Sequence, residues 1–204
     1  MPLRKRRAGA KTVIARLTPC ITDRISTACV ATRGDRRVTY SRPVIIRPAT
    51  SADATAIAAI IVPVIRAGTT YALDPAMPEP DAVAYWFAPD KETFVAELDG
   101  TIVGTYFIHP NQAGGGRHVC NCGYITSPAA TSRGIARRMC EHSLDHARTR
   151  GYRAMQFNFV ISTNTRAVRL WESLGFATVG RLPGAFLHPT DGYVDALVMY
   201  QLLV

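Results

Sequence analysis

The chain has 204 residues, 48% of them hydrophobic, and a formal net charge of +9 at neutral pH. That length and apolar share support a core of ordinary domain size and argue against a disordered chain. A charge spread over the fold would point to a nucleic-acid or membrane surface, but residues 1–43 hold eleven Lys and Arg against Asp23 and Asp35, and the remaining thirteen basic residues meet thirteen acidic ones. The part with a core pattern is neutral, so nucleic acid is disfavoured as its partner.

Residues 1–43 open on Arg4-Lys5-Arg6-Arg7, are rich in Ser and Thr, and show no sustained periodicity. They are expected to be a basic disordered tail, a presequence of transit-peptide composition, or an over-long translation start, with residues 44–204 forming one domain. No run reaches the roughly 18 apolar residues of a membrane span, so a cytoplasmic protein without a membrane partner is expected. The five cysteines, Cys20, Cys29, Cys120, Cys122 and Cys140, are odd in number and scattered, unlike a disulfide framework, and point to a reducing compartment.

Alternation over residues 44–47 predicts a strand, and Thr50 with Asp53 three residues on predicts the capped start of an apolar helix running to Ala67 through Pro63. Residues 68–80 read as an irregular loop suited to line a substrate site, and residues 81–87 as a short helix. Two β-rich runs, 93–98 and 101–109, are split by Asp99-Gly100, a strong hairpin signal. The glycines at 114–116 turn the chain into a strand over 117–126. Ile135, Met139, Leu144 and Ala147 share one helical stripe over 134–150, which Gly151 ends. A strand over 154–161, a helix over 163–174, and strands over 177–182 and 194–203 follow. This order predicts an α/β (α+β) fold with a mixed central sheet flanked by helices on both faces.

His118, Cys120 and Cys122 alternate on one strand face without a fourth ligand nearby, so no metal site is expected. His142 and His146, one turn apart beside Glu141 and Asp145, read as a solvated helix face. Chemistry concentrates elsewhere. In Tyr124-Ile125-Thr126-Ser127-Pro128-Ala129-Ala130-Thr131-Ser132-Arg133-Gly134-Ile135-Ala136 a strand runs through a proline-marked loop into a helix N-terminus. Free backbone N–H groups and the positive end of the helix dipole converge there and favour an anion, while Gly134 and Ala136 keep the approach open.

Some thirty residues on, Asn164-Thr165-Arg166-Ala167-Val168-Arg169-Leu170-Trp171-Glu172-Ser173-Leu174-Gly175-Phe176 has the form N-x-x-A-x-x-L-W-x-x-x-G-F. With it the chain closely resembles, over residues 44–204, the GNAT superfamily of acyl-coenzyme A N-acyltransferases, whose second signature has Tyr where Trp171 stands. That family's first signature, (Q or R)-x-x-G-x-(G or A), maps onto Thr131-x-x-Gly134-x-Ala136. The T-Y-A-L-D-P, A-Y-W-F, R-L-P-G-A-F and G-Y-V-D-A-L-V-M-Y runs are similar to the branch of phosphinothricin and L-amino-acid acetyltransferases, which act on small molecules.

The resemblance implies a GNAT fold and direct transfer of an acetyl group from acetyl-CoA, as co-substrate, to a primary amine of a small molecule such as an amino acid or analogue. It implies no metal or redox cofactor. Two alternatives stand beside it: an acetyltransferase for protein N-terminal or lysine amines, and a nucleic-acid-binding protein using the basic tail with a CoA-sensing domain. A homodimer is left open. By the resemblance, the amides of Ser132, Arg133, Gly134, Ile135, Ala136 and Arg137 cradle the pyrophosphate, and the backbone of Tyr124, Ile125 and Thr126 pairs with the pantetheine arm and points an N–H at the thioester oxygen. Asn164 bonds the pantetheine region and Trp171 walls the thioester.

Three departures bear on this. Thr131 stands where Gln or Arg is expected, so Arg133 or Arg137 would supply charge beside the pyrophosphate. Trp171 replaces a tyrosine proposed as general acid, and an indole N–H is no useful acid at neutral pH. No glutamate occupies the strand before the loop, where Cys120 is the nearest counterpart, so His118, Glu97 or Asp195 are the candidate general bases, the last two through a water. Cys120 as an acyl-carrying nucleophile lacks a Cys-His-acid arrangement, which favours direct transfer.

Overall fold

The structure, a computed structural model, describes residues 43–131 and 133–204; the expectations placed on residues 1–42, Cys20 and Cys29 among them, and on Ser132 lie outside the described residues. Strand β1 (Ile45–Pro48) leads into helix α1 (Ala54–Ala67) through the cap foreseen at Thr50. The Asp53 carboxylate accepts the Thr50 N–H at 2.7 Å and two guanidinium N–H groups of Arg47 at 2.8 Å each. Arg47 also donates to Glu97 on the neighbouring strand at 2.6 Å, so one guanidinium ties strand, cap and sheet together.

The Arg47 hydrogen bonds hold the Asp53 carboxyl well below the usual carboxylate range. A carboxyl that titrates lower when folded stabilises fully above its unfolded pKa of about 4, and that stabilisation is lost as the pH falls further. Asp53→Asn is therefore expected to lose about 2 kcal/mol at neutral pH and to flatten the acid limb of the stability curve below about pH 4. Denaturant unfolding across pH checks this, and an acid limb as steep as the wild type's contradicts it.

Helix α1 continues through Pro63, which lies on the exposed side with Ala59, so the carbonyl deprived of its donor faces solvent. Gly68, at φ 61°, closes the helix. Helix α2 (Glu79–Trp86) starts two residues before the expected position. Pro80, read from sequence as part of the loop, occupies its first turn, where the missing N–H has no partner to lose.

Strands β2 (Glu92–Leu98) and β3 (Thr101–Pro110) form the hairpin expected at Asp99-Gly100, with φ of 53° and 74° at the turn. Strand β4 (Val119–Thr126), helix α3 (Ile135–Thr149), strand β5 (Ala154–Ile161), helix α4 (Thr165–Ser173) and strands β6 (Ala177–His188) and β7 (Gly192–Leu202) follow. The sheet order is β1-β2-β3-β4-β5-β7-β6. Only the β4–β5 pair is parallel, joined over one face by α3, so the expected mixed sheet forms.

Helices cover both faces. Ile57, Ile61 and Ile65 of α1 and Trp86 of α2 pack on Val95, Phe107 and Ile125 on one side, and Met139, Leu144 and Trp171 pack on Tyr106, Cys120 and Met155 on the other. The buried Trp86 donates its indole N–H to the Thr105 hydroxyl at 2.9 Å, and that hydroxyl donates to the Phe94 carbonyl at 2.9 Å.

Two expectations are corrected. Strand β6 runs six residues past Leu182, because the Pro183-Gly184 pair falls in an irregularity between Leu182 and Phe186 on an edge strand, where a missing ladder donor is tolerated. His142 and His146 are half-buried and not a solvated face. The Tyr106 hydroxyl lies 2.6 Å from His142 Nδ1, the Phe94 ring meets both imidazoles, and His146 Nε2 is 3.0 Å from Glu92. The pair seals α3 against the sheet. Among the described residues no helix is long and apolar enough to cross a membrane.

Candidate active site

Strands β4 and β5 start side by side and then separate. Their pairing covers Val119 with Ala154 and Cys120 with Met155 and goes no further. Which backbone groups this exposes follows from the other edge of β4. Ser127 donates to the Val103 carbonyl and Asn111 to the Val119 carbonyl, both at 2.8 Å. In an antiparallel ladder the bonded residues alternate, so Asn121, Gly123 and Ile125 spend their N–H and C=O groups on β3. Those of Cys122, Tyr124 and Thr126 face the gap. The N–H groups of Tyr124 and Thr126 thus face the gap, the Tyr124 carbonyl there accepting the Tyr71 hydroxyl, whereas the backbone of Ile125 is turned to Thr105, its register partner.

The opening is a cleft of about 990 Å³. At one end lies the N-terminus of α3. Gly134 precedes the helix at φ 75°, a left-handed conformation that glycine adopts without strain, and a Cβ there would have no heavy atom within 4 Å. The first α-helical bond is Arg138 N–H to the Gly134 carbonyl at 3.0 Å. Among the described residues the amides of Ile135, Ala136 and Arg137 therefore have no earlier intrahelical acceptor, which suits them to an anion.

The side chains around this end are basic. Arg137, Arg166 and Arg169 line the cleft, and no carboxylate is among the lining residues. Arg137 donates to the Ser173 hydroxyl at 2.7 Å and stands 3.7 Å from Glu141, bracing α3 against α4. Arg133 is exposed and outside the lining. The neutrality read from sequence for the whole domain thus conceals a local positive field at the cleft.

Further in, Trp171 forms a wall between the separated strands, its ring centroid 5.1 Å from Tyr124 and 5.2 Å from Phe157. The Tyr124 hydroxyl is paired with Ser143 at 2.7 Å, and burial pushes its pKa far up, so it stays a neutral packed phenol. Asn164 caps α4 by accepting the Ala167 N–H at 3.2 Å and also lines the cleft.

The other end is walled by Thr70 to Leu73, Tyr85, Phe107, His109, Asn121 and Phe159. Tyr71 reaches from the loop after α1 and donates its hydroxyl to the Tyr124 carbonyl at 3.1 Å, its ring edge-on to Trp86. Gly123 leaves room for this: a Cβ there would meet the Phe107 ring at 2.7 Å and the Tyr71 hydroxyl at 3.1 Å. Asn111 accepts from Asn158 at 2.7 Å and from Asn121 at 3.3 Å, bridging β4 and β5 where their own pairing has stopped.

The three candidate bases stand outside the cleft lining. Glu97 is taken up by Arg47 at the far edge of the sheet. Asp195 accepts from Arg181 at 2.6 Å and from the Gly184 N–H at 2.9 Å, two bonds that hold its carboxyl below the ordinary range. His118 precedes β4 and sits exposed, its Nδ1 3.1 Å from the Gly115 carbonyl. Cys120 is buried with its Sγ against the Ala154 carbonyl at 3.5 Å.

The loop over residues 68–80, read from sequence as suited to line a substrate site, supplies Tyr71 to the lining, whereas His109, Asn121, Asn158, Arg166 and Arg169 were not singled out. For Arg166 and Arg169 the signal was present, as two arginines one turn apart at the start of α4.

Two diverging strands that bare alternate backbone groups, with an open helix N-terminus at their mouth, offer backbone donors to an extended ligand headed by an anion. The comparisons say which. The model of the acetyltransferase (GNAT) family matches residues 65–176. The chain is 33% identical over 154 residues to the N-acetyltransferase aca1 of Schizosaccharomyces pombe, covering 67% of this chain and 73% of that protein. A GCN5-related N-acetyltransferase from Kribbella flavida superposes with a TM-score of 0.74 at 41% identity, over 78% of this chain and 97% of its own. A phosphinothricin acetyltransferase from Sinorhizobium meliloti in complex with AcCoA shares the fold, with a TM-score of 0.70 at 17% identity, over 78% of this chain and 88% of its own. The chain belongs to the GNAT acetyltransferase family. It is an acetyltransferase, and acetyl-CoA is its co-substrate.

Proposed function

We propose that this enzyme transfers the acetyl group of acetyl-CoA directly to a primary amine of a small molecule, such as an amino acid or an amino-acid analogue. The observation that supports a small acceptor is the roof of the cleft. Tyr71, bonded to the Tyr124 carbonyl and packed on Trp86, fastens the loop over the end away from α3, and Tyr85 and Phe107 close the side. A protein acceptor needs an open groove there to lay down its chain. A small amine needs only a pocket.

In this reading the amides of Ile135, Ala136 and Arg137, with Gly134 and Ser132 before them, hold the pyrophosphate, and Arg133, Arg137, Arg166 and Arg169 supply charge around it. The gap-facing N–H groups of Tyr124 and Thr126 bond the pantetheine arm and the thioester oxygen, stabilising charge as the tetrahedral centre forms. Asn164 has spent its oxygen on the helix cap, which leaves its amide nitrogen for the pantetheine. Direct transfer is supported by the state of Cys122, the thiol that lines the cleft. Burial raises its pKa well above the ordinary value, so little thiolate is present to carry an acyl group.

The test is acetyl-CoA with amino acids, polyamines, aminoglycosides and short peptides, read as thiol release. The expected result is a small amine whose kcat/KM exceeds that of any peptide by about tenfold or more. Turnover confined to peptide or protein amines would contradict the proposal.

A further inference from the structure

An attacking amine must shed a proton, and the cleft offers few groups able to take one. Among its lining residues there is no Asp or Glu; a guanidinium does not serve as a base in a protein; and Tyr71, Tyr124, Tyr85 and Cys122 are all pushed upward by burial. One lining side chain remains that exchanges a proton near neutral pH. His109 lies on β3 two residues beyond Phe107, on the face covered by α1 and α2, and is the register partner of Asn121. That places it at the acceptor end, opposite the phosphate end at Gly134.

We propose, on the reading that this cleft acetylates a small amine, that the imidazole of His109 is the general base of the transfer. Its geometry suits the role. Nδ1 is 3.5 Å from Asp90 Oδ2, and the ring packs against Phe107 with centroids 5.7 Å apart, so its plane is fixed from two sides. Burial lowers its pKa below the ordinary 6.5, which keeps the ring neutral and able to accept at physiological pH.

The charged and titratable groups around it act in both directions. Asp90 and the Pro110 carbonyl favour the protonated ring and Lys91 opposes it, while Tyr85, under the Lys91 ammonium, stays neutral. The bound ammonium gives one proton to His109, and the freed nitrogen lone pair attacks the thioester carbon to form the C–N bond. The tetrahedral centre collapses with cleavage of the C–S bond. The nitrogen's second proton ends on the departing sulfur, and His109 returns its own to water. The products are the amide, the coenzyme thiol and one proton.

The experiment compares wild type, His109→Gln and Asp90→Asn by kcat/KM for the best small amine from about pH 5 to about pH 9, with acetyl-CoA affinity by calorimetry. Loss of the base is expected to lower kcat/KM about 100-fold at neutral pH with acetyl-CoA affinity unchanged. It should also remove the limb that falls with unit slope below the His109 pKa, leaving only the titration of the amine itself. Asp90→Asn removes a group that raises the His109 pKa, so it should shift that limb to lower pH. This variant carries the test if His109→Gln fails to bind acetyl-CoA. A His109→Gln enzyme with wild-type kcat/KM and profile, or an Asp90→Asn limb that does not move, overturns the assignment. A wild type inactive on every small amine defeats instead the reading on which it rests.

Discussion

Gly134→Glu is expected to abolish acetyl-CoA binding while the domain still folds. The backbone there sits at φ 75°, which costs an L-residue about 1–2 kcal/mol, a fraction of the stability of an ordinary domain. Space is no obstacle, since a Cβ meets no heavy atom within 4 Å. Affinity fares differently. The substitution sets a carboxylate before the free amides of Ile135 to Arg137, where it occupies the anion site and repels the pyrophosphate. A rise in Kd of about 100-fold or more is expected, or about 3 kcal/mol. Gly134→Ala, which adds strain without charge, should lose far less. Calorimetry with a thermal melt separates the terms, and wild-type affinity in a folded Gly134→Glu protein would contradict the cradle.

Trp86→Ala is expected to be the most destabilising single change in the acceptor wall, at about 4 kcal/mol. The indole is fully buried, its ring centroid lies 4.8 Å from Phe107 and 6.0 Å from Tyr71, and its N–H satisfies the Thr105 hydroxyl. Removing it leaves a cavity beneath the two rings that shape the acceptor end. The site at Gly134 is built on the opposite side of the sheet. KM for the amine should therefore rise in protein that remains folded, with acetyl-CoA affinity little changed. Denaturant unfolding and paired binding measurements check both halves, and a loss below about 1 kcal/mol would show that the wall repacks.

The order of elements was legible in the sequence because each signal is local: the Thr50–Asp53 cap, the Asp99-Gly100 turn, and the stripe of Ile135, Met139, Leu144 and Ala147 all act within one element. The two signatures likewise located the α3 N-terminus and the start of α4. What escaped depends on pairs of elements. That Ile125 spends its backbone on Thr105 while Tyr124 and Thr126 face the gap follows from register, and register is a relation between strands. His109 has the same parity as Phe107 in β3, a pattern visible in the sequence, yet nothing in that strand says that β4 and β5 part beside it. The loop of Tyr71 was placed beside a substrate site, but with no periodicity to read, the bond from its hydroxyl to the Tyr124 carbonyl was not legible. His142 and His146 showed their one-turn spacing but not Phe94 and Tyr106, the strand residues that bury them.

We propose that acetyl-CoA lies between β4 and β5, on alternate backbone groups and the α3 N-terminus. Residue-resolved amide hydrogen exchange, with and without acetyl-CoA, tests it most directly. Protection is predicted to rise at Tyr124, Thr126, Ile135, Ala136 and Arg137 and to change little at Gly123 and Ile125, whose N–H groups are already bonded to β3. Equal protection along β4, or protection confined to another part of the domain, would contradict the account.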